Sequence, residues 1–475
     1  MSALLHRPSS IAALLTAALV LGGCASFSPD RGLVSVNAIT APALGQEAFA
    51  VRTPEQAEAV SLRVKALLRK PLNADRAAHI ALLNNRDLQA AYNALGLSEA
   101  AMVQASLPPN PTFSLERIAG GGAVEIEARI VGSLLQLATL PTRAEIAADR
   151  FRQAQFQAAS ETLRIASEAR RSFFRAVAAR ALVASLSQAR ETGETAAELA
   201  KRLGETGAMN KLDQARNQTF HAEIVAQLGT ARLRAASERE RLVRALGLWG
   251  GDLDFQLPAQ LPPLPARARA LAYIETEAVK RRVDLQMARI EADMLAKSYG
   301  LTNATRFINL LDVAGIAKKQ REDGETVRER GFEVEVQVPL FDFGEVKARQ
   351  AEENYLQAVN KLTVKAVNVR SEAREAYQSY RASFDIARHY RREVLPLRKV
   401  ISEETLLRYN AMQIDVFALL IEARQRIAAT NAAIEAERDF WLAETNLGAA
   451  VLGGTTAAPP EGNASTPAAE GPGGH

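Results

Sequence analysis

The sequence predicts a mainly α-helical protein with a small β part, built as a duplicated helix–hairpin–long-helix unit. Three observations carry that reading. Hydrophobic residues make up 48% of the chain but aromatics only 5%, with alanine heavily used, which suits long helices packed close together. Long stretches run without proline or glycine. Five landmarks recur in the same order, about two hundred residues apart. The remaining counts exclude several classes. A chain of 475 residues would ordinarily hold about three domains, yet 58 Lys and Arg against 54 Asp and Glu leave only +4, too weak a basic field for nucleic acid. A single cysteine rules out a disulfide framework, and five scattered histidines include no pair at metal-ligand spacing. No cofactor or catalytic residue is implied, and an enzyme is the weakest of the function classes.

The duplication sets the organisation. Arg86-Asp87-Leu88-Gln89 recurs as Arg282-Val283-Asp284-Leu285-Gln286, and each is followed by a helical stretch and a break, Pro108-Pro109-Asn110-Pro111 or Gly300-Leu301-Thr302-Asn303. An alternating strand follows in each copy, then a turn at Leu140-Pro141-Thr142 or Phe341-Asp342-Phe343-Gly344, then a very long helix. The copies finish on Leu246-Gly247 and Leu447-Gly448. Residues 76–249 form the first repeat and 267–450 the second, joined by a Pro/Gly linker over 250–266 that cannot continue a helix. Residues 24–75 read as a polar lead-in of weak periodicity, and 451–475 as a disordered tail of Gly, Pro, Ala, Thr and Ser.

The single cysteine reads as a processing site. Residues 1–23 have a weakly basic start at His6 and Arg7 and an apolar run from Ile11 to Leu21, too short to span a bilayer, as in an export signal peptide. Leu21-Gly22-Gly23-Cys24 resembles the bacterial lipobox, in which the cysteine is acylated and becomes the first mature residue. Ala25 is not the aspartate that in many Gram-negative bacteria retains lipoproteins at the inner membrane, so the implied destination is the outer membrane. A generic signal peptide with an incidental cysteine is the plainer alternative.

In the strands, Val124, Ile126, Ala128 and Ile130 alternate with Glu125, Glu127 and Arg129, and Phe332, Val334, Val336 and Val338 alternate with Glu333, Glu335 and Gln337. Each ribbon is thus apolar on one side and charged on the other. Phe113 and Leu115 alternate with Ser114 and Glu116, whereas Phe307 to Leu311 does not alternate cleanly. Gly120-Gly121-Gly122 reads as the first hairpin turn, and Gly315 to Gly331 as a long charged loop at the second. A soluble sandwich would alternate in the same way, but four strands with nothing to pack against leave edges that must be covered. Three copies giving four strands each would close one barrel, lipid-facing outside and polar inside. Glu125, Glu127, Arg129, Glu333, Glu335 and Gln337 then line the lumen.

From Thr142 to Leu203 no proline appears, and no glycine before Gly193, a helix on the order of 75 Å long. Ala147, Phe151, Ala154, Ala158, Leu163, Ala166, Ala169, Phe173 and Val177 recur at coiled-coil spacing. A self-contained antiparallel bundle would read similarly, but it leaves the lipobox and the strands unexplained.

Taken together, Cys24, Arg86-Asp87-Leu88, Pro109-Asn110-Pro111 and Val338-Pro339-Leu340-Phe341-Asp342-Phe343-Gly344 resemble the TolC-type outer membrane efflux family, in its lipoprotein branch, over roughly residues 75–450. So do two helix-turn-helix tips, Arg202 to Met209 and Arg408 to Asp415. The resemblance implies a homotrimer: a short outer-membrane β-barrel continued by an α-helical periplasmic barrel. It implies the exit duct of a tripartite pump, whose partners are a periplasmic adaptor, an inner-membrane transporter and outer-membrane lipid. Thr206, Gly207, Ala208, Met209 and Asn210, with Ala411, Met412, Gln413 and Ile414, are then the adaptor-docking tips. The second tip departs from the family by lacking its glycine. Met209 and Met412 read as corresponding residues, packing rather than copper-binding. Asp213 and Asp415, also read as corresponding, are candidates for a periplasmic gate or simply acidic residues at helix starts. A polypeptide secretion duct and a non-conducting helical lipoprotein are the alternatives; the cargo is not legible.

Overall fold

The computed structural model describes residues 27–121, 123–322 and 325–453. The export signal, Cys24 and the tail from residue 454 onward lie outside them. The chain opens with α1 (Leu33–Leu44), α2 (Pro54–Leu68), α3 (Ala74–Asn84) and α4 (Arg86–Ser106). A hairpin follows, β1 (Thr112–Gly120) and β2 (Ala123–Ser133), then the short α5 (Leu134–Ala138), the 66-residue α6 (Leu140–Glu205) and α7 (Lys211–Leu246). The second copy repeats this as α8 (Ile274–Arg281), α9 (Val283–Ala304), β3 (Leu310–Glu322) and β4 (Glu325–Gln337). Next come α10 (Glu345–His389), a π turn over Tyr390–Val394, α11 (Leu395–Asn410) and α12 (Val416–Leu452).

The long helices follow from composition. At 1.5 Å per residue α6 is about 100 Å long, and its buried face is largely alanine: Ala147, Ala158, Ala159, Ala166 and Ala169 lie beside Leu163, Phe173 and Val177. Small side chains let neighbouring backbones approach over that length. The counterpart of α6 is α10 and α11 joined through the π turn. Pro396 has no N–H to donate and its ring crowds the carbonyl four residues back, and the wide turn just before it absorbs that mismatch.

Side-chain caps fix the shorter starts. Thr53 and Gln56 form a reciprocal capping box at α2, and Asn73 and Asn85 accept backbone N–H groups at α3 and α4.

One aromatic cluster forms where the copies meet. Phe174 stacks on Trp441 at 5.3 Å, and Trp441 meets Phe440 edge-on at 5.0 Å. Phe440 in turn contacts Tyr380 and Phe384. The Trp441 indole donates to the Pro262 carbonyl at 3.1 Å, pinning the linker.

Three sequence expectations are corrected. The expected polar lead-in over 24–75 is largely helical where it is described, and its Val36, Val60, Val64, Leu68 and Leu72 are buried in a hydrophobic core. The Gly315–Gly331 segment is mostly strand, since β3 and β4 pair continuously from Leu310↔Gln337 to Glu322↔Glu325. The copies do not end on equivalent Leu-Gly pairs either. α7 stops at Gly247, whereas α12 runs through Gly448 and stops at Gly453.

Candidate functional site

The four strands form one antiparallel sheet in the order β1-β2-β3-β4. Its edges, β1 and β4, have no strand partner among the described residues. Directly paired residues share a face, so the register assigns every side chain. Glu125 lies opposite Gln320, Glu127 opposite Lys318, Glu335 opposite Asp312 and Gln337 opposite Leu310. Glu125, Glu127, Arg129, Glu333, Glu335 and Gln337 therefore share one face. On it Lys318 pairs with Glu125 at 2.7 Å, and Arg129 reaches Glu333 at 2.9 Å across the small, buried Ala314. Along β3 this face is half-buried at Asp312, Ile316, Lys318 and Gln320, while Gly315, Ala317, Lys319 and Arg321 on the other face are exposed.

The opposite face carries Val124, Ile126, Val334 and Val336 together with Phe113, Leu115, Ile130 and Phe332. Phe332 is 83% exposed and Leu115 65%. Such an apolar surface on a sheet calls for cover by lipid or protein. Toward the hairpins the same face turns basic, with Arg117, Lys319, Arg321, Arg328 and Arg330. On β3 and β4 charges alternate with charges, and on β1 the pattern breaks at Arg117-Ile118, so these five give no amphipathic signal.

At the far end from the sheet lie the two tips. α6 ends at Glu205 and α11 at Asn410, and the second residue beyond each is left-handed: Gly207 at φ +78° and Met412 at φ +58°. The turns share hydrogen bonds, Thr206 N–H to Arg202 O and Gly207 N–H to Gly204 O in one, Ala411 N–H to Leu407 O and Met412 N–H to Tyr409 O in the other. Met412 thus corresponds to Gly207, and the half-buried Met209 to the half-buried Ile414. The expected Met209–Met412 correspondence is wrong. Thr206, Ala208, Asn210, Ala411 and Gln413 are exposed, and Met412 is 94% exposed.

The two aspartates are not equivalent either. Asp415 is the N-cap of α12, accepting the Ala418 N–H at 2.9 Å, and its counterpart is Asn210, which caps α7. Asp213 lies in the first turn of α7, where it accepts from Asn210 Nδ2 at 2.7 Å and pairs with Arg216 at 3.2 Å. The Arg216 guanidinium in turn covers the Phe417 ring at 4.4 Å, tying the two tips together.

No cluster of His, Cys, Asp and Glu suited to a metal occurs among the described residues. No described helix is long and apolar enough to cross a membrane.

Residues 276–401 match the family described as outer membrane efflux protein. No curated protein relative matches the chain. Among solved structures, CusC, described for its transmembrane channel formation, is 14% identical with a TM-score of 0.67, covering 80% of this chain and 92% of its own. The CmeC outer membrane channel of Campylobacter jejuni is 14% identical at TM-score 0.66, covering 86% and 90%. The outer membrane protein VceC of Vibrio cholerae is 13% identical at 0.66, covering 80% and 96%. This chain has the fold of the TolC-type outer membrane efflux channels. The match to the outer membrane efflux protein family runs from α8 into the start of α11.

Proposed function

We propose that the protein is the outer-membrane exit duct of a tripartite efflux pump. It passively conducts substrates handed on by an inner-membrane transporter and a periplasmic adaptor. The observation that carries this is the four-stranded sheet, two-edged, charged on one face and apolar on the other, mounted on helices about 100 Å long. An open sheet cannot stand in hydrocarbon, because each unpaired backbone group there costs several kcal/mol. Three copies, β4 of one beside β1 of the next, would pair every edge and give an even-stranded antiparallel barrel. The charged face becomes the lumen and Val124, Ile126, Val334 and Val336 meet lipid.

Carboxylates outnumber cations on the lumen face, so the channel favours cations. No side chain is assigned a catalytic role, because conduction down a prepared path needs none. The helices extend into the periplasm, where Thr206, Gly207, Ala208, Met209, Asn210, Ala411, Met412, Gln413 and Ile414 meet the adaptor. Asp213 and Asp415 stand where three pairs of tips would converge, and they serve as the periplasmic gate. Cys24 carries the lipid anchor of an outer-membrane lipoprotein, which mass spectrometry of the N-terminal peptide checks; an unmodified Cys24 removes the anchor but not the channel.

The experiment for the function is reconstitution of the full chain in planar bilayers. The expected result is discrete, cation-selective conductance steps. A protein that binds the bilayer without conducting would instead be a structural lipoprotein.

A further inference from the structure

We infer that the outward face of the barrel carries, at its hairpin end, a binding belt for the phosphates of the outer leaflet's glycolipid. The inference rests on the channel reading, which sets the hairpins at the cell exterior and the helices in the periplasm. Every carboxylate of the four strands lies on the lumen face, while Arg117, Lys319, Arg321, Arg328 and Arg330 lie on the other. The two ion pairs within the sheet, Lys318–Glu125 and Arg129–Glu333, are both on the lumen face. Among the described residues the five outward cations are exposed and belong to no ion pair.

Arrangement as well as sign points to an anion. Arg117, Ile126, Lys319 and Arg328 form one row across all four strands, so Lys319 and Arg328 stand directly opposite each other. Like charges in that relation destabilise a strand pair unless a counter-charge lies over them. The same two strands handle their other face differently, setting Lys318 opposite Glu329. Arg321 and Arg330 occupy the adjacent rows, which places four cations on two neighbouring strands about 5 Å apart.

The height is that of headgroups. On a strand rising 3.3 Å per residue and tilted about 40°, Lys319 stands roughly 20 Å above Leu311 and Arg321 roughly 25 Å. That is the span of an outer-membrane apolar band, filled here on the outward face by Leu311, Val313, Phe332, Val334, Ile130 and Leu115. Cations on a lipid-facing barrel surface are tolerated near the interface and not at mid-bilayer, and Arg330, one row lower, has the length to reach up. Four cations within one headgroup's footprint exceed what a single phosphodiester neutralises. They match a headgroup with several phosphates, the chemistry of a diphosphorylated glycolipid rather than of a glycerophospholipid. Three copies would carry the belt around the barrel.

The test is native mass spectrometry of the purified full chain with three probes: diphosphoryl lipid A, monophosphoryl lipid A and phosphatidylglycerol. Retention should fall in that order. Replacing Lys319, Arg321, Arg328 and Arg330 together by Gln should cut diphosphoryl lipid A retention about tenfold or more, while Glu329→Gln on the lumen face should not reduce it. If the fourfold variant does not assemble, Arg328→Gln and Arg328→Glu under increasing salt carry the same comparison. Undiminished retention in these variants would overturn the belt, and phosphatidylglycerol binding as tightly as diphosphoryl lipid A would overturn the glycolipid assignment. Conductance of the same samples separates the two readings. Normal conductance with no lipid A preference defeats the belt alone, whereas a wild-type chain that neither trimerises nor conducts defeats the channel and the belt with it.

Discussion

Met412 stands in the second tip where Gly207 stands in the first, the second residue past its helix end and left-handed in both. A side chain at positive φ costs on the order of 1 kcal/mol relative to glycine, and this one is 94% exposed, so the helix pair gains nothing from it. If the adaptor covers the tip, Met412→Gly should leave thermal stability equal or higher while lowering export. Gly207→Trp should abolish export with the trimer intact. Normal export in both variants, measured in cells with the pump otherwise complete, would remove the docking role of the tips.

The gate can be separated from helix capping. Asp415→Asn keeps an N-cap, as Asn210 already does for α7, but removes the charge. Asp415→Ala removes both and should cost about 1 kcal/mol in addition. A carboxylate ring at the tunnel end predicts higher conductance and weaker cation selectivity in both variants. Unchanged conductance in Asp415→Asn would leave Asp415 as a cap only. Asp213 should respond less, because Arg216 already balances its charge.

The sheet's two faces predict unequal tolerance. Arginine at Val334 would face hydrocarbon near mid-bilayer and cost about 2–4 kcal/mol; arginine at Glu335, beside Asp312, would face the lumen. Val334→Arg should reduce the yield of assembled trimer on semi-native gels well below that of Glu335→Arg. Equal yields would contradict the assigned faces.

Stability should also depend on pH through His79 in α3. Partial burial disfavours its charged form, and Arg63 adds repulsion, so its folded pKa lies below the ordinary 6.5. The folded chain then binds fewer protons than the unfolded one in the interval just below 6.5. The histidine's contribution is full above that value and is lost as the pH falls through the interval to the lowered folded pKa. His79→Gln should therefore shrink the drop in thermal midpoint between about pH 7.5 and pH 5.5. An identical drop in both proteins would exclude His79 as a cause.

Much of this fold was legible where a single period ran uninterrupted. The alternation of Val124 to Ile130 and of Phe332 to Val338 marked β2 and β4, and the absence of helix breakers after Thr142 marked α6. Legibility failed where local signals conflicted. Lys318-Lys319 and Arg328-Glu329-Arg330 are charged on both faces, so two strand halves read as a loop and their basic row goes unseen. Val60, Val64 and Leu68 follow helical spacing, but α2 also exposes Leu62, which blurs the apolar stripe, and it packs against α3. At the tips, matching methionine to methionine misaligned the copies. The correspondence is set by helix ends and backbone sign, which put a methionine where the other copy has glycine.

If three copies close one barrel, β1 of each stands beside β4 of the next. Disulfide trapping tests it most directly, because Cys24 is the chain's only cysteine. Ser114 on β1 shares the charged face of the sheet with Glu333, Glu335 and Gln337 on β4. Ser114→Cys would be combined in turn with Glu333→Cys, Glu335→Cys and Gln337→Cys in chains lacking Cys24, and oxidised in membranes. At least one pair should yield a covalent product that stops at three chains, since a closed ring has no further edge to add to. Monomers in all three combinations, or a ladder continuing past trimer, would contradict it.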